Sequence, residues 1–86
     1  MPEISRFFGI VVTMYYLDHQ PPHFRARYGG AEVVISVDDL GVIAGGLPSR
    51  AMGLVVEWAA TRRAELRDDW DRARVGERLR PIEPLS

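Results

Sequence analysis

The 86-residue sequence contains no cysteine and no lysine. Without cysteine it has neither disulfide bridges nor thiolate ligands for a metal ion. No apolar run reaches the roughly 18 residues needed to cross a bilayer. The first three residues lack the basic segment of a signal peptide. We therefore expect a soluble, cytoplasmic protein that does not associate with membranes.

The charge is nearly balanced. All 11 cationic residues are arginine and the formal net charge is −1, which argues against a protein that coats nucleic acid through bulk charge alone. Apolar residues make up 47% and charged residues 27%, a normal globular balance. The length suits one domain, so we expect residues 1–86 to fold as a single unit.

The first half of the chain has the pattern of β-strands, between about residues 4 and 44. Residues 10–17 are rich in β-branched and aromatic side chains, and residues 4–8 are expected to pair with them around Gly9. A second hairpin is predicted at Gly29-Gly30, because the favoured two-residue turns need positive φ. The hairpin register pairs Tyr28 with Ala31 and His23 with Ser36. A turn at residues 38–41 then precedes a short strand at residues 42–44.

This register divides the second hairpin into two faces. The face expected in the core carries Phe24, Ala26, Tyr28, Ala31, Val33, Ile35 and Val37. The opposite, polar face carries His23, Arg25, Arg27, Glu32, Val34, Ser36 and Asp38. One strand therefore presents a basic row to solvent.

The second half predicts one long helix over about residues 49–75. Proline and serine at 48 and 49 suit a helix start, and Gly76 suits its end. Helical spacing places these residues in one stripe: Met52, Val55, Val56, Ala59, Leu66, Trp70 and Ala73. Arg62 and Arg63 interrupt the stripe, so the helix either kinks there or extends beyond the sheet. With an extended tail at 77–86, the predicted fold is α+β: a mainly antiparallel sheet of three to four strands against a long C-terminal helix.

The densest polar constellation runs from Asp18 to Tyr28 and includes the only two histidines, His19 and His23. Histidine transfers protons near neutral pH, and arginine binds phosphate oxygens. One hypothesis is a metal-independent endoribonuclease without a cofactor, in which His19 and His23 act as acid and base. In it, Asp18 orients His19, while Arg25 and Arg27 bind phosphate.

Three other interpretations stay open at this point. His23 opposite Ser36 and Arg27 opposite Glu32 are also ordinary cross-strand pairs. Asp18, His19 and His23 could converge on a metal around the turn, although the proline pair excludes a helix there. RNA binding without catalysis would use Arg25 and Arg27, with aromatic surfaces from Tyr15, Tyr16 and Tyr28.

Apolar residues near the C-terminus suggest an interface. Trp70 and Leu66 lie beyond the arginine interruption, and Ile82 and Leu85 lie in the tail. In so small a domain, these four residues are expected to form either part of the core or the contact surface of a homodimer or partner complex.

The segment Asp18-His19-Gln20-Pro21-Pro22-His23-Phe24 is the most distinctive part of the chain. Together with the start Pro2-Glu3-Ile4 and Val56-Glu57-Trp58-Ala59, it resembles the bacterial family called domain of unknown function 4160. The resemblance implies a small protein often encoded beside a second small protein, as in a toxin–antitoxin or regulatory pair. It also implies a third histidine at the position that Arg25 occupies here.

Two functions are expected from these observations. The first is one component of a toxin–antitoxin-like pair that binds or cleaves RNA through the histidine and arginine residues. The second is a non-enzymatic regulatory or antitoxin-like module that binds the protein encoded by a neighbouring gene, using the helix and the tail.

Overall fold

The protein forms one antiparallel sheet followed by two helices. The structure is a computed structural model that describes residues 2–86. Its elements are β1 (Glu3–Phe7), β2 (Ile10–Thr13), β3 (His23–Tyr28), β4 (Ala31–Ser36), β5 (Val42–Gly45), α1 (Ser49–Thr61) and α2 (Arg63–Arg74). The strands lie in the order β1-β2-β3-β4-β5. The α+β antiparallel fold is therefore confirmed, with five strands in place of three or four and two helices in place of one.

Both predicted hairpins are present. The β3–β4 register is the predicted one, from His23 opposite Ser36 to Tyr28 opposite Ala31. The β1–β2 turn has φ of 49° at Phe8 and 79° at Gly9, the two positive angles that a type I′ turn requires. Strand β2 ends at Thr13, four residues earlier than predicted. Beyond it the chain turns towards α2, where the Leu17 N–H donates to the Ala73 carbonyl oxygen at 3.2 Å.

The predicted long helix is broken at Arg62, whose φ and ψ are −123° and 20°. In an unbroken helix, Arg62 and Arg63 would lie on the apolar stripe, and the break avoids this. Arg62 pairs with Glu65 at 3.1 Å, and Arg63 donates to the backbone oxygen of Asp38. The helix α2 ends as predicted near Gly76, whose φ is 77°, and the Glu77 N–H donates to the Arg72 oxygen at 2.9 Å, as in a Schellman motif.

Both helices share one core with a single face of the sheet. The largest fully buried side chains of this core include Trp58, Trp70, Phe24, Ile4 and Ile10. The ring of Trp58 contacts those of Phe7 and Phe24, with centroids 5.3 and 6.1 Å away. No helix in residues 2–86 is both long enough and apolar enough to span a membrane.

The C-terminal tail completes this core. Leu79 and Ile82 are buried, and the Ile82 N–H donates to the Ile4 oxygen of β1 at 2.7 Å. The indole N–H of Trp58 donates to the Glu83 oxygen at 2.8 Å. The tail thus covers the β1 edge of the sheet, while all four residues of β5 are exposed at the other edge.

The predicted interface needs correction because of this packing. Leu66, Trp70 and Ile82 are buried within the chain itself, and Leu85 is half-buried against the same core. Burial of such side chains is the main stabilising contribution to folding. Leu66, Trp70 and Ile82 therefore act as core residues with almost no surface left for a second protein, whereas Leu85 keeps part of its side chain exposed.

Candidate functional site

The histidine motif folds into a compact polar group, which we call the Asp18–His23 cluster. It comprises Asp18, His23 and Arg25, bounded by the rings of Tyr15 and Trp70. His23 and Arg25 lie on β3, and Asp18 lies in the loop that leads into it. The structure therefore brings together two of the predicted catalytic residues and one predicted phosphate ligand.

His23 has no free ring nitrogen. Its Nδ1 donates to the Pro21 carbonyl oxygen at 2.7 Å, and its Nε2 donates to Asp18 Oδ2 at 2.9 Å. Each ring nitrogen is therefore within hydrogen-bond distance of an oxygen of the chain itself. The residue is 8% exposed, and its ring centroid lies 5.2 Å from that of Trp70. In this arrangement His23 holds the loop against β3 and α2, and no nitrogen remains to reach a substrate.

Asp18 is the centre of the cluster. Its carboxylate accepts hydrogen bonds from the His19 backbone N–H at 2.8 Å, from His23, and from Arg25 Nη2 at 3.3 Å. Burial favours the neutral form of Asp18, but these three hydrogen bonds outweigh it, so the pKa of Asp18 is lowered. Asp18 is therefore a fixed anion at neutral pH, one that already has its partners.

Arg25 is also engaged within the chain. In addition to Asp18, its guanidinium carbon lies 4.6 Å from the ring centroid of Tyr15, a cation–π distance. A phosphate in this position would have to compete with the carboxylate of Asp18. The arginine that stands where the family resemblance implies a third histidine thus stabilises the loop.

The structure does not bring His19 into the cluster. Its side chain is exposed, and within residues 2–86 its imidazole takes part in no hydrogen bond or ion pair. The prediction that Asp18 orients His19 is wrong for the side chain, because Asp18 binds the imidazole of His23 and only the backbone of His19. Asp18, His19 and His23 consequently do not converge as a metal site would require, and no group of three such ligands is found in the described residues.

Arg27 lies on the open sheet face, the side of the sheet that the helices leave uncovered. It is exposed and stands between Val11 of β2 and Glu32 of β4. The neighbouring Arg6 is paired with Glu3 at 2.8 Å. The cations of this face are thus interleaved with carboxylates, which leaves little net positive charge for a phosphate backbone.

A second feature, which the sequence did not predict, is a groove between the tips of the two hairpins and the start of α1. We call it the hairpin-tip groove; it encloses about 470 Å³. Its lining consists of Phe8, Ile10, Tyr28, Pro48, Arg50, Ala51 and Leu54. Tyr28 was expected in the core, but it is 42% exposed, because it is the last residue of β3 and lies at the open groove.

Phe8 is the most unusual residue of this groove. It occupies a turn position with φ of 49°, where Asn is favoured and a bulky side chain costs on the order of 1–2 kcal/mol. The residue is nevertheless 60% exposed, and its ring meets the buried ring of Phe7 edge-on, with the centroids 6.5 Å apart. A signal was available in the sequence: Phe8-Gly9 is a turn whose first residue is aromatic instead of polar.

The fold and these sites define a small α+β protein in which His23 of the histidine motif is hydrogen-bonded within the chain and in which Phe8 and Tyr28 line an exposed groove. A family model described as Domain of unknown function (DUF4160) matches residues 9–71. The match includes the whole Asp18–His23 cluster, so the chain belongs to this family. Searches of the curated proteins and of the solved structures found no match.

Proposed function

We propose that the protein is a non-enzymatic protein-binding module, one half of a two-component pair of the toxin–antitoxin or regulatory type. Its binding surface is the hairpin-tip groove. The observation that carries the proposal is Phe8, an exposed aromatic ring held at a turn position that disfavours it. Departures from local preference without a gain in packing concentrate at functional sites. Exposed aromatic residues around a pocket are also typical anchors of protein interfaces.

The state of the histidines supports this choice over ribonuclease activity. A general acid or base needs a nitrogen within hydrogen-bond reach of the substrate. Both nitrogens of His23 are bonded inside the chain, and the imidazole of the exposed His19 has no hydrogen-bond partner within residues 2–86 to set its orientation. His19 and His23 therefore cannot both exchange a proton with one substrate unless the loop before β3 opens.

Co-purification with the product of the neighbouring gene tests the proposal. The wild-type chain should retain that protein, and a Phe8→Asn/Tyr28→Ser variant should lose it, with affinity weaker by about tenfold or more. The matched control is Leu17→Asn, which alters another exposed residue of positive φ outside the groove. Binding that survives in the double variant would overturn the proposal.

RNA binding on the open sheet face is the second candidate. The observation that favours it is Arg27, which is exposed and forms no hydrogen bond or ion pair within residues 2–86. Arginine in that position is available to a phosphate. An electrophoretic shift of total RNA that disappears in Arg27→Glu, and persists in Phe8→Asn/Tyr28→Ser, would establish this candidate. Growth arrest with new RNA ends that require His19 and His23 would establish a ribonuclease.

A further inference from the structure

We infer that the segment of the partner protein seated in the hairpin-tip groove is acidic, with an apolar or aromatic side chain next to a carboxylate. The inference rests on the proposed function and names the chemistry of the partner. It follows from two properties of the groove, its apolar walls and the one charge at its rim.

The walls and floor of the groove are apolar. The lining combines the exposed rings of Phe8 and Tyr28 with Leu54 of α1 and with the buried side chains of Ile10 and Ala51. Tyr28 is seated over the turn: a methyl group added at Gly9 would lie 3.4 Å from its Cε1 atom. These surfaces lose contact with water when an apolar side chain enters, which is favourable at about 25 cal/mol per Å² of apolar area. The groove therefore requires an apolar anchor.

The rim supplies a cation and no anion. Arg50 is the only charged residue in the lining, and in the described chain it has no ion pair, whereas Arg6, Arg25 and Arg72 each face a carboxylate. The first turn of α1, to which Arg50 belongs, contains no acidic residue. A carboxylate beside the anchor would complement this charge, whereas a lysine or arginine would be repelled. Charge complementarity thus selects an acidic segment.

Selection of random 12-residue peptides displayed on phage tests the inference without knowledge of the natural partner. The wild-type chain is the bait, and the Phe8→Asn/Tyr28→Ser variant removes peptides that bind elsewhere. Selected peptides should combine Asp or Glu with an aromatic or large aliphatic residue. Arg50→Glu should weaken their binding by about fivefold to tenfold, as expected for reversal of an exposed charge.

Two controls distinguish an effect of the charge of Arg50 at the rim from an effect of the net charge of the protein. Arg78→Glu makes the same charge change on the exposed tail and should leave affinity unchanged. A peptide with its acidic residue replaced by arginine should prefer the Arg50→Glu variant over the wild type. The wild-type affinity should fall with added salt, and that dependence should be smaller in Arg50→Gln.

The outcomes distinguish this inference from the proposed function. Peptides that shift the amide resonances of Phe8, Tyr28 and Leu54, show no acidic preference and tolerate Arg50→Glu would overturn the inference alone. Peptides that shift other resonances, such as those of β5 or the open sheet face, would overturn the groove as the binding surface. Acidic peptides in the groove that lose affinity in Arg50→Glu and retain it in Arg78→Glu support both.

Discussion

The Asp18–His23 cluster and the hairpin-tip groove contrast in how far the chain satisfies its own side chains. In the cluster, the carboxylate of Asp18 binds both the imidazole of His23 and the guanidinium of Arg25, and the imidazole also bonds to the backbone. Among the side-chain atoms of these three residues, only Arg25 Nε is buried without a partner within residues 2–86. In the groove, two aromatic rings and one guanidinium face solvent. The difference indicates that the first region maintains the fold, while the second has binding capacity left for another molecule.

The same contrast separates the residues that the sequence makes conspicuous from those for which we propose a binding role. Histidine, aspartate and arginine in a short motif attract a catalytic interpretation because each can carry one. Here the side chains of Asp18, His23 and Arg25 fix the loop between β2 and β3 against α2. The proposed binding residues, in comparison, are ordinary aromatic and aliphatic side chains whose only unusual property is their placement.

The largest expected effect is on the stability of the cluster. His23→Ala should lower the free energy of unfolding by about 2–3 kcal/mol, because it removes the packing against Trp70 and leaves Asp18 without its main partner. Urea denaturation checks this value. The matched control is His19→Ala, which should stay within about 0.5 kcal/mol of the wild type because His19 is exposed. Equal effects of the two substitutions would contradict the structural role of His23.

Asp18, which is partly buried, and Asp69, which is buried, should respond to pH in opposite directions. The hydrogen bonds of Asp18 outweigh its burial and lower its pKa, so its stabilising contribution is present above the ordinary value of 3.8 and is lost as pH falls through its folded pKa. Asp18→Asn should therefore cost about 1–2 kcal/mol at pH 7 and progressively less in acid. Denaturation curves collected between pH 3 and pH 7 (about the range where carboxylates titrate) give this dependence.

Asp69 of α2 provides the comparison. It is 1% exposed; its Oδ1 accepts the Arg80 N–H at 2.8 Å, and its Oδ2 is buried without a partner. Burial raises its pKa, so its contribution is present below the ordinary value of 3.8 and is lost as pH rises. Asp69→Asn should be more stable than the wild type by about 0.5–1 kcal/mol at pH 7, with no gain in acid. A gain that grows as pH falls would contradict this assignment.

An effect as small as that of Asp69→Asn is expected at two backbone positions of positive φ, Phe8 in the groove and Leu17 outside it. Phe8→Asn and Leu17→Asn each place a tolerant residue at a positive φ, so each should raise the free energy of unfolding by about 0.5–1 kcal/mol. Leu17 is 71% exposed, which makes it a suitable reference for the loss of an exposed apolar side chain. Only Phe8→Asn should weaken partner binding. If Phe8→Asn loses stability and Leu17→Asn does not, the ring of Phe8 contributes to the stability of the fold.

Much of the fold was accessible from the sequence because local rules determine it. Alternation and the Gly29-Gly30 turn gave the β3–β4 register, and Gly76 marked the end of α2. The break at Arg62 was one of two expected outcomes, since the periodicity could not decide between a kink and an extension. The length of β2 was overestimated because its apolar run continues through residues that turn towards α2.

The roles of the site residues were less accessible, because they depend on contacts between distant segments. The partners of His23 lie two and five residues earlier in the chain, yet its burial depends on Trp70 of α2. Leu66, Trp70 and Ile82 were candidates for an interface until the tail was seen to pack against β1. The predicted homodimer stays a prediction, and it would have to use other surfaces than these.

The most direct test of the central claim is a titration of the isotope-labelled protein with the product of the neighbouring gene, followed by amide chemical shifts. We expect the largest chemical-shift changes at Phe8, Gly9, Tyr28 and residues 49–54. The amide shifts of residues 18–25 should change little. Large changes at residues 18–27, with an unaffected hairpin-tip groove, would contradict it and return the histidine motif to the centre of the function.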